Sequence, residues 1–198
     1  MKKIILILFI YFINHSLFAT ETKKAYFAGG CFWCTESIFL RIRGVSSVIP
    51  GYMGGKIKNP SYRDVCNGKT GHTETIKIDY DKSIISYKEL LEIFFSTHDP
   101  TTPNRQGNDL GSQYRSAVFF ENQIEKRQII ECISLFEKNK IYNDPFVTEI
   151  NKKSEFYEAE IEHHDYYNRN KSESYCQYVI RPKIKKFNSL FSSYNVEK

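Results

Sequence analysis

Within ten residues, AGGCFWCTES (residues 28–37), the chain places Cys31 and Cys34 three residues apart, puts Phe32 and Trp33 between them and sets Gly29-Gly30 in front. Two thiols at this spacing can hold half of a zinc site, run dithiol exchange, or supply one nucleophile beside an aromatic wall. A structural zinc site needs four ligands, and neither a second C-x-x-C nor a His pair at ligand spacing accompanies this one. Dithiol exchange suits a C-x-x-C that opens a helix after a strand, although Trp33 stands between the cysteines rather than before them. The third reading makes Cys31 a single nucleophile. A thiol at a helix start meets unpaired amide groups and the positive end of the helix dipole, which favour thiolate.

The elements that must position these residues are legible in outline. Residues 24–28 (KAYFA) read as a strand and residues 35–44 (TESIFLRIRG) as a helix stopping at Gly44. VSSVIPGYMGG reads as an extended segment before a glycine turn, and NPSYRDVCNGKTGH as a loop. Residues 74–80 alternate apolar and polar side chains, the mark of a strand. Ser86 and Glu89 stand in capping-box spacing ahead of Leu90, Leu91, Phe94 and Phe95, which predicts a helix. A long polar stretch, TTPNRQGNDLGSQ, follows; loops of this length are functional or disordered. Residues 114–120 and 145–150 read as strands, and 123–138 and 154–167 as helices. The tail YCQYVIRPKIKKF reads as irregular before a short helix. Alternating strands and helices make the fold class α/β, an α+β sandwich in one domain whose mixed sheet is covered by helices.

The first residues, MKKIILILFIYFINHSLFA, set Lys2 and Lys3 before an apolar run and close on Ala19, the pattern of a secretory signal over residues 1–19. The run is short of the roughly twenty residues that span a bilayer, so an uncleaved anchor is the lesser reading. Export, into the periplasm, is the expectation. The domain then covers residues 24–187 and a tail covers 188–198. Net charge is +5 with scattered lysines, too mild a field to recruit nucleic acid. Aromatic residues make up 15% of the chain, enough to fill a sizeable core. Five cysteines cannot all pair within one exported chain, so at least one thiol stays free. Cys132 shares a helical face with Ile129, Ile133 and Phe136 and reads as a core thiol. Cys66 reads as structural.

GCFWC followed by TESIFLRIRGVSSVIPGYMGG, then NPSYRDVCNGKTGHTETIKIDYD, HDPTTPNRQGNDLGSQYRSAVFF and EFYEAEIEHHDYY, resembles peptide methionine sulfoxide reductase of the A type, over about residues 24–187. The resemblance implies reduction of the S epimer of methionine sulfoxide. It implies that Cys31 attacks sulfur, Phe32 and Trp33 hold the substrate methyl, Glu74 gives a proton, and Tyr62 and Tyr114 donate to the sulfoxide oxygen. A proton-donating Glu74 requires a carboxyl raised above its usual range, which desolvation by Phe32 and Trp33 can supply. Asp109 matches the position that organises the site, and His163 a supporting one. Cys176 matches the tail cysteine and is expected to resolve the sulfenic acid first, with Cys34 as the rival or relay thiol. Ser174 stands where glycine is commoner, which stiffens that approach. No cofactor is implied beyond an external thioredoxin-like dithiol, and a monomer is expected.

Overall fold

The computed structural model describes residues 21–196. The signal-peptide reading of residues 1–19 lies outside them. A six-stranded mixed sheet runs in the order β7-β6-β1-β3-β2-β8, where β1 is Thr22–Gly29, β2 Val45–Met53, β3 Thr73–Asp81, β6 Ser116–Phe120, β7 Glu149–Lys152 and β8 Tyr157–Glu158. All neighbours are antiparallel except β6 and β7. Helices α1 (Phe32–Phe39), α3 (Tyr87–Thr97), α4 (Gln123–Lys138) and α6 (Arg181–Leu190) accompany the sheet, with two short helices, α2 (Tyr62–Cys66) and α5 (Tyr166–Arg169).

Strand periodicity sorts the sheet's two faces. On β1, Ala25 and Phe27 enter the main core with Phe32, Phe39, Ile76, Ile78 and Phe94, while Tyr26 and Ala28 join a smaller cluster with Met53, Ala117 and Phe119. On β3, Ile76, Ile78 and Tyr80 all point into the main core, and the same period carries back two residues to Glu74.

Helix α4 runs as read, and α3 starts at the expected capping box, with Ser86 and Glu89 each satisfying the other's backbone N–H. Several expectations are corrected. Helix α1 ends at Phe39 rather than running to Gly44. The NPSYRDVCNG loop contains α2, started by a second capping box of Ser61 and Asp64. The polar stretch after residue 101 is ordered as a hairpin, β4 (Arg105–Gln106) with β5 (Asp109–Leu110), and the Gln106 amide bridges the N–H and C=O of Asp99. The helix expected over 154–167 does not form. That segment supplies β8, a 3-10 turn at Ile161–His163 and then α5, because Tyr157 and Glu158 pair with the β2 edge and Asp165 turns left-handed at φ 48°. The tail is regular, not irregular: a π-helical turn, Cys176–Ile180, leads into α6, and Ile180, Ile184 and Phe187 bury one face. Pro182 sits in the first turn of α6, where its missing N–H costs nothing. The expected boundary at residue 188 falls inside α6, and Tyr194 beyond it stays on the body, where it donates to Glu89.

Candidate active site

Strand β1 ends at Gly29 and α1 begins at Phe32, so Cys31 is the N-cap at the strand-to-helix turn. Both glycines are required. A Cβ on Gly29 would lie 2.8 Å from the Phe94 ring, and Gly30 has φ +93° with its Cβ direction filled by Gln106 at 2.5 Å. Behind this turn His98 is held neutral, its ring nitrogens donating to the Phe94 carbonyl at 2.7 Å and accepting from Ser116 at 2.8 Å. Burial drives its pKa down to about 4.

Cys31 and Cys34 lie one helical turn apart, both buried, with their thiols facing each other. Burial and the hydrogen bond to Cys34 push the Cys31 thiol well above its ordinary value, while the bond from Cys31 draws Cys34 down. The expected depression of Cys31 by the helix start is therefore reversed in the resting protein: of the two thiols, Cys34 is the one that ionises more readily. Cys176 is completely buried in the same cluster, where the neighbouring Cys34 helps raise it.

Glu74 is 1% exposed. Its Oε2 accepts the Phe32 N–H at 2.9 Å, so the carboxyl closes the amino end of α1. Burial raises its pKa to about 8, against the opposing pull of that N–H. The Tyr62 ring stacks on Phe32 and meets His163 at 4.3 Å. Burial and the Glu74 charge push the phenols of both Tyr62 and Tyr114 up, keeping them protonated donors. Asp109, at the start of β5, accepts the Tyr175 hydroxyl at 2.7 Å, and that hydroxyl lies 3.6 Å from the Cys34 sulfur. The Trp33 indole is sandwiched edge and face: Tyr175 meets it edge-on, and Tyr166 lies flat against it at 3.7 Å. Trp33 Nε1 and His163 Nδ1 are buried without a protein partner.

The structure thus brings Cys31, Phe32, Trp33, Glu74, Tyr62, Tyr114, Asp109, Cys34 and Cys176 to the amino end of α1 and its surroundings. His163 is buried rather than a surface residue, and burial lowers its pKa. Cys66, read as structural, lies beside Tyr62, close enough for their side chains to hydrogen-bond. Cys132 is a core thiol raised to about 12 by burial. Among the described residues no group of three or more His, Cys, Asp or Glu could hold a metal ion.

Residues 23–195 match the family model of peptide methionine sulfoxide reductase. The chain belongs to that family. The family relative from Sulfolobus acidocaldarius, called peptide methionine sulfoxide reductase MsrA, is 53% identical over 165 residues, covering 83% of this chain and 93% of its own. The reduced form of Mxr1 from Saccharomyces cerevisiae superposes with a TM-score of 0.72 at 30% identity, covering 79% of this chain and 90% of the other. Mxr1 in complex with Trx2 matches at the level of the fold, with a TM-score of 0.50 and 22% identity over 73% of this chain and 84% of that one.

Within this family site, three polar residues were missed from sequence. Tyr175 joins Asp109 to Cys34. Glu160 accepts the Tyr52 hydroxyl and the Tyr62 N–H, both at 2.8 Å, and so fixes α2. Glu36 is buried under α5. Only Glu36 had a usable signal, an acid in a short helix that also carries Phe32, Trp33, Ile38 and Phe39.

Proposed function

We propose that this enzyme reduces the S epimer of methionine sulfoxide, free or in proteins, with Cys31 as nucleophile and Glu74 as proton donor. The arrangement that carries the reading is a buried thiol at a helix N-cap beside a buried carboxyl whose pKa of about 8 keeps it protonated at neutral pH. The proton of Cys31 passes to Cys34, and the Cys31 thiolate forms a bond to the sulfoxide sulfur. Oxide is too poor a leaving group by itself, so Glu74 protonates the sulfoxide oxygen, with the Tyr62 and Tyr114 hydroxyls as further donors. The oxygen ends on Cys31 as sulfenic acid and methionine leaves. Substrate sulfur gains the two electrons that the Cys31 sulfur loses. Phe32 and Trp33 form the apolar wall for the S-methyl group.

In place of the expected first attack by Cys176, we assign that step to Cys34, which already faces Cys31: it attacks the sulfenic sulfur and expels water, giving the Cys31–Cys34 disulfide. Cys176, buried beside Cys34, then exchanges with it, which returns Cys31 to the thiol. A thioredoxin-like dithiol reduces the final disulfide; Mxr1 from Saccharomyces cerevisiae forms a complex with Trx2. The segment over residues 1–19 exports the chain, so the carrier acts outside the cytoplasm, and the processed mass of the exported protein tests this.

The deciding experiment is one turnover without reductant. Purified protein converts about one equivalent of S sulfoxide, leaves the R epimer untouched and loses two thiols. Conversion surviving in Cys31→Ser would sink the proposal.

A further inference from the structure

Helix α1 carries a second buried acid that the chemistry above does not use. Glu36 lies one turn beyond Trp33, is 1% exposed, and faces the segment that leads into α5. Its Oε1 accepts the Asp165 N–H at 2.7 Å and its Oε2 the Tyr166 N–H at 3.4 Å. Asp165 makes no side-chain cap for α5 and adopts a left-handed conformation, φ 48° and ψ 39°, that L residues disfavour. Four residues cannot sustain a helix unaided, so what α5 packs on must hold it. Arg41, two residues past the end of α1, adds a hydrogen bond to Asn168 at 3.2 Å and lies over the Tyr167 ring at 5.3 Å.

The held segment contains Tyr166, whose ring lies on the Trp33 indole at 3.7 Å and 7° from parallel. Trp33 therefore has Glu36 behind it along the helix and Tyr166 against its face, and the same carboxyl fixes the backbone of that tyrosine. A buried acid is a costly way to satisfy two backbone N–H groups, and burial raises Glu36 to about 7. A charged acceptor binds such groups more firmly than a neutral one.

We propose that Glu36 is a positioning residue acting through Tyr166: it caps Asp165 and Tyr166, holds the Tyr166 ring on Trp33, and so sets the orientation of the aromatic wall that receives the substrate methyl. The proposal rests on the reading of Phe32 and Trp33 as that wall.

Trp33 is the only tryptophan in the chain, so its emission reports the stack directly. Glu36→Gln, Tyr166→Leu and the double variant are compared by emission spectrum and by first-turnover kinetics. Glu36→Gln should raise the KM for the sulfoxide by about fivefold to tenfold while the saturated rate stays within about twofold, the signature of lost binding rather than lost chemistry. Its emission should move in the same direction as that of Tyr166→Leu, and the double variant should be no worse in KM than Tyr166→Leu. An unchanged KM or emission in Glu36→Gln, or two effects that add in full, would overturn the proposal. If Glu36→Gln does not fold, Glu36→Asp, with the charge kept and the reach shortened, carries the same expectations. Emission needs no sulfoxide turnover, so an inactive wild type would refute the repair reading and leave this one to the fluorescence.

Discussion

Glu74→Gln separates what the fold wants at this position from what the reaction needs. The carboxyl rises from 4.5 to about 8, mainly through burial, which at about 1.4 kcal/mol per pH unit is an ionisation penalty of ~5 kcal/mol. In the unfolded chain Glu74 loses its proton above pH 4.5; in the folded protein it keeps it until about 8. Unfolding in that window therefore releases a proton, and stability falls as pH rises, by ~4 kcal/mol between pH 5 and 8. Glutamine keeps the shape and can still accept the Phe32 N–H, yet it has no proton to lose. Urea unfolding of the reduced proteins, followed through Trp33, should show the Gln variant gaining that ~4 kcal/mol on the wild type across the window. The same variant should lose about 10²–10⁴-fold in first-turnover rate, the usual worth of a general acid. Parallel stability curves would refute the buried-acid argument, and an unimpaired rate would refute the proton donor.

In Cys34→Ser the hydrogen bond and charge that help burial raise Cys31 are gone, so alkylation of Cys31 at pH 7 should quicken, by about tenfold for each unit its pKa falls, measured by peptide mapping. After one turnover the same variant should hold a dimedone-reactive sulfenic acid on Cys31 for longer than the wild type does, unless Cys176 reaches Cys31 unaided. Gly30→Ala introduces a Cβ 2.5 Å from Gln106 at φ +93° and should lower Tm by about 5–10 °C. Gly68→Ala, at φ +70° with nothing within 4 Å, should lower it by less; equal losses in a thermal melt would show that the contact with Gln106 is not the cause.

What was legible in the sequence was local. Cys31, Phe32 and Trp33 announce a helix start because Gly29-Gly30 break the strand before them, and Ser86 with Glu89 announces α3. The burial of Glu74 was available too, since the period that buries Ile76, Ile78 and Tyr80 extends to it without a break. The second capping box, Ser61 with Asp64, is as clear as the first and was hidden only by the turn-forming residues around it. By contrast, the pairing of Asp109 with Tyr175 spans 66 residues and that of Glu36 with Asp165 spans 129. Such contacts leave no periodic trace, because packing alone decides which distant segment satisfies a buried acid. The failure of the 154–167 helix has the same origin: its residues satisfy the β2 edge, α1 and α2 instead of one another.

The hydrogen bond from Phe32 N–H to Glu74 gives one residue two duties on opposite sides of the reaction. As Glu74 surrenders its proton, the new carboxylate is already facing a helix N-terminus, where negative charge is welcome. The ring of that same Phe32 meanwhile faces apolar neighbours. Proton loss thus tightens the helix that carries the nucleophile at the moment the nucleophile is committed. The acid's departure is met by an electrostatic sink built from backbone, which no side-chain substitution at residue 32 can remove, proline excepted.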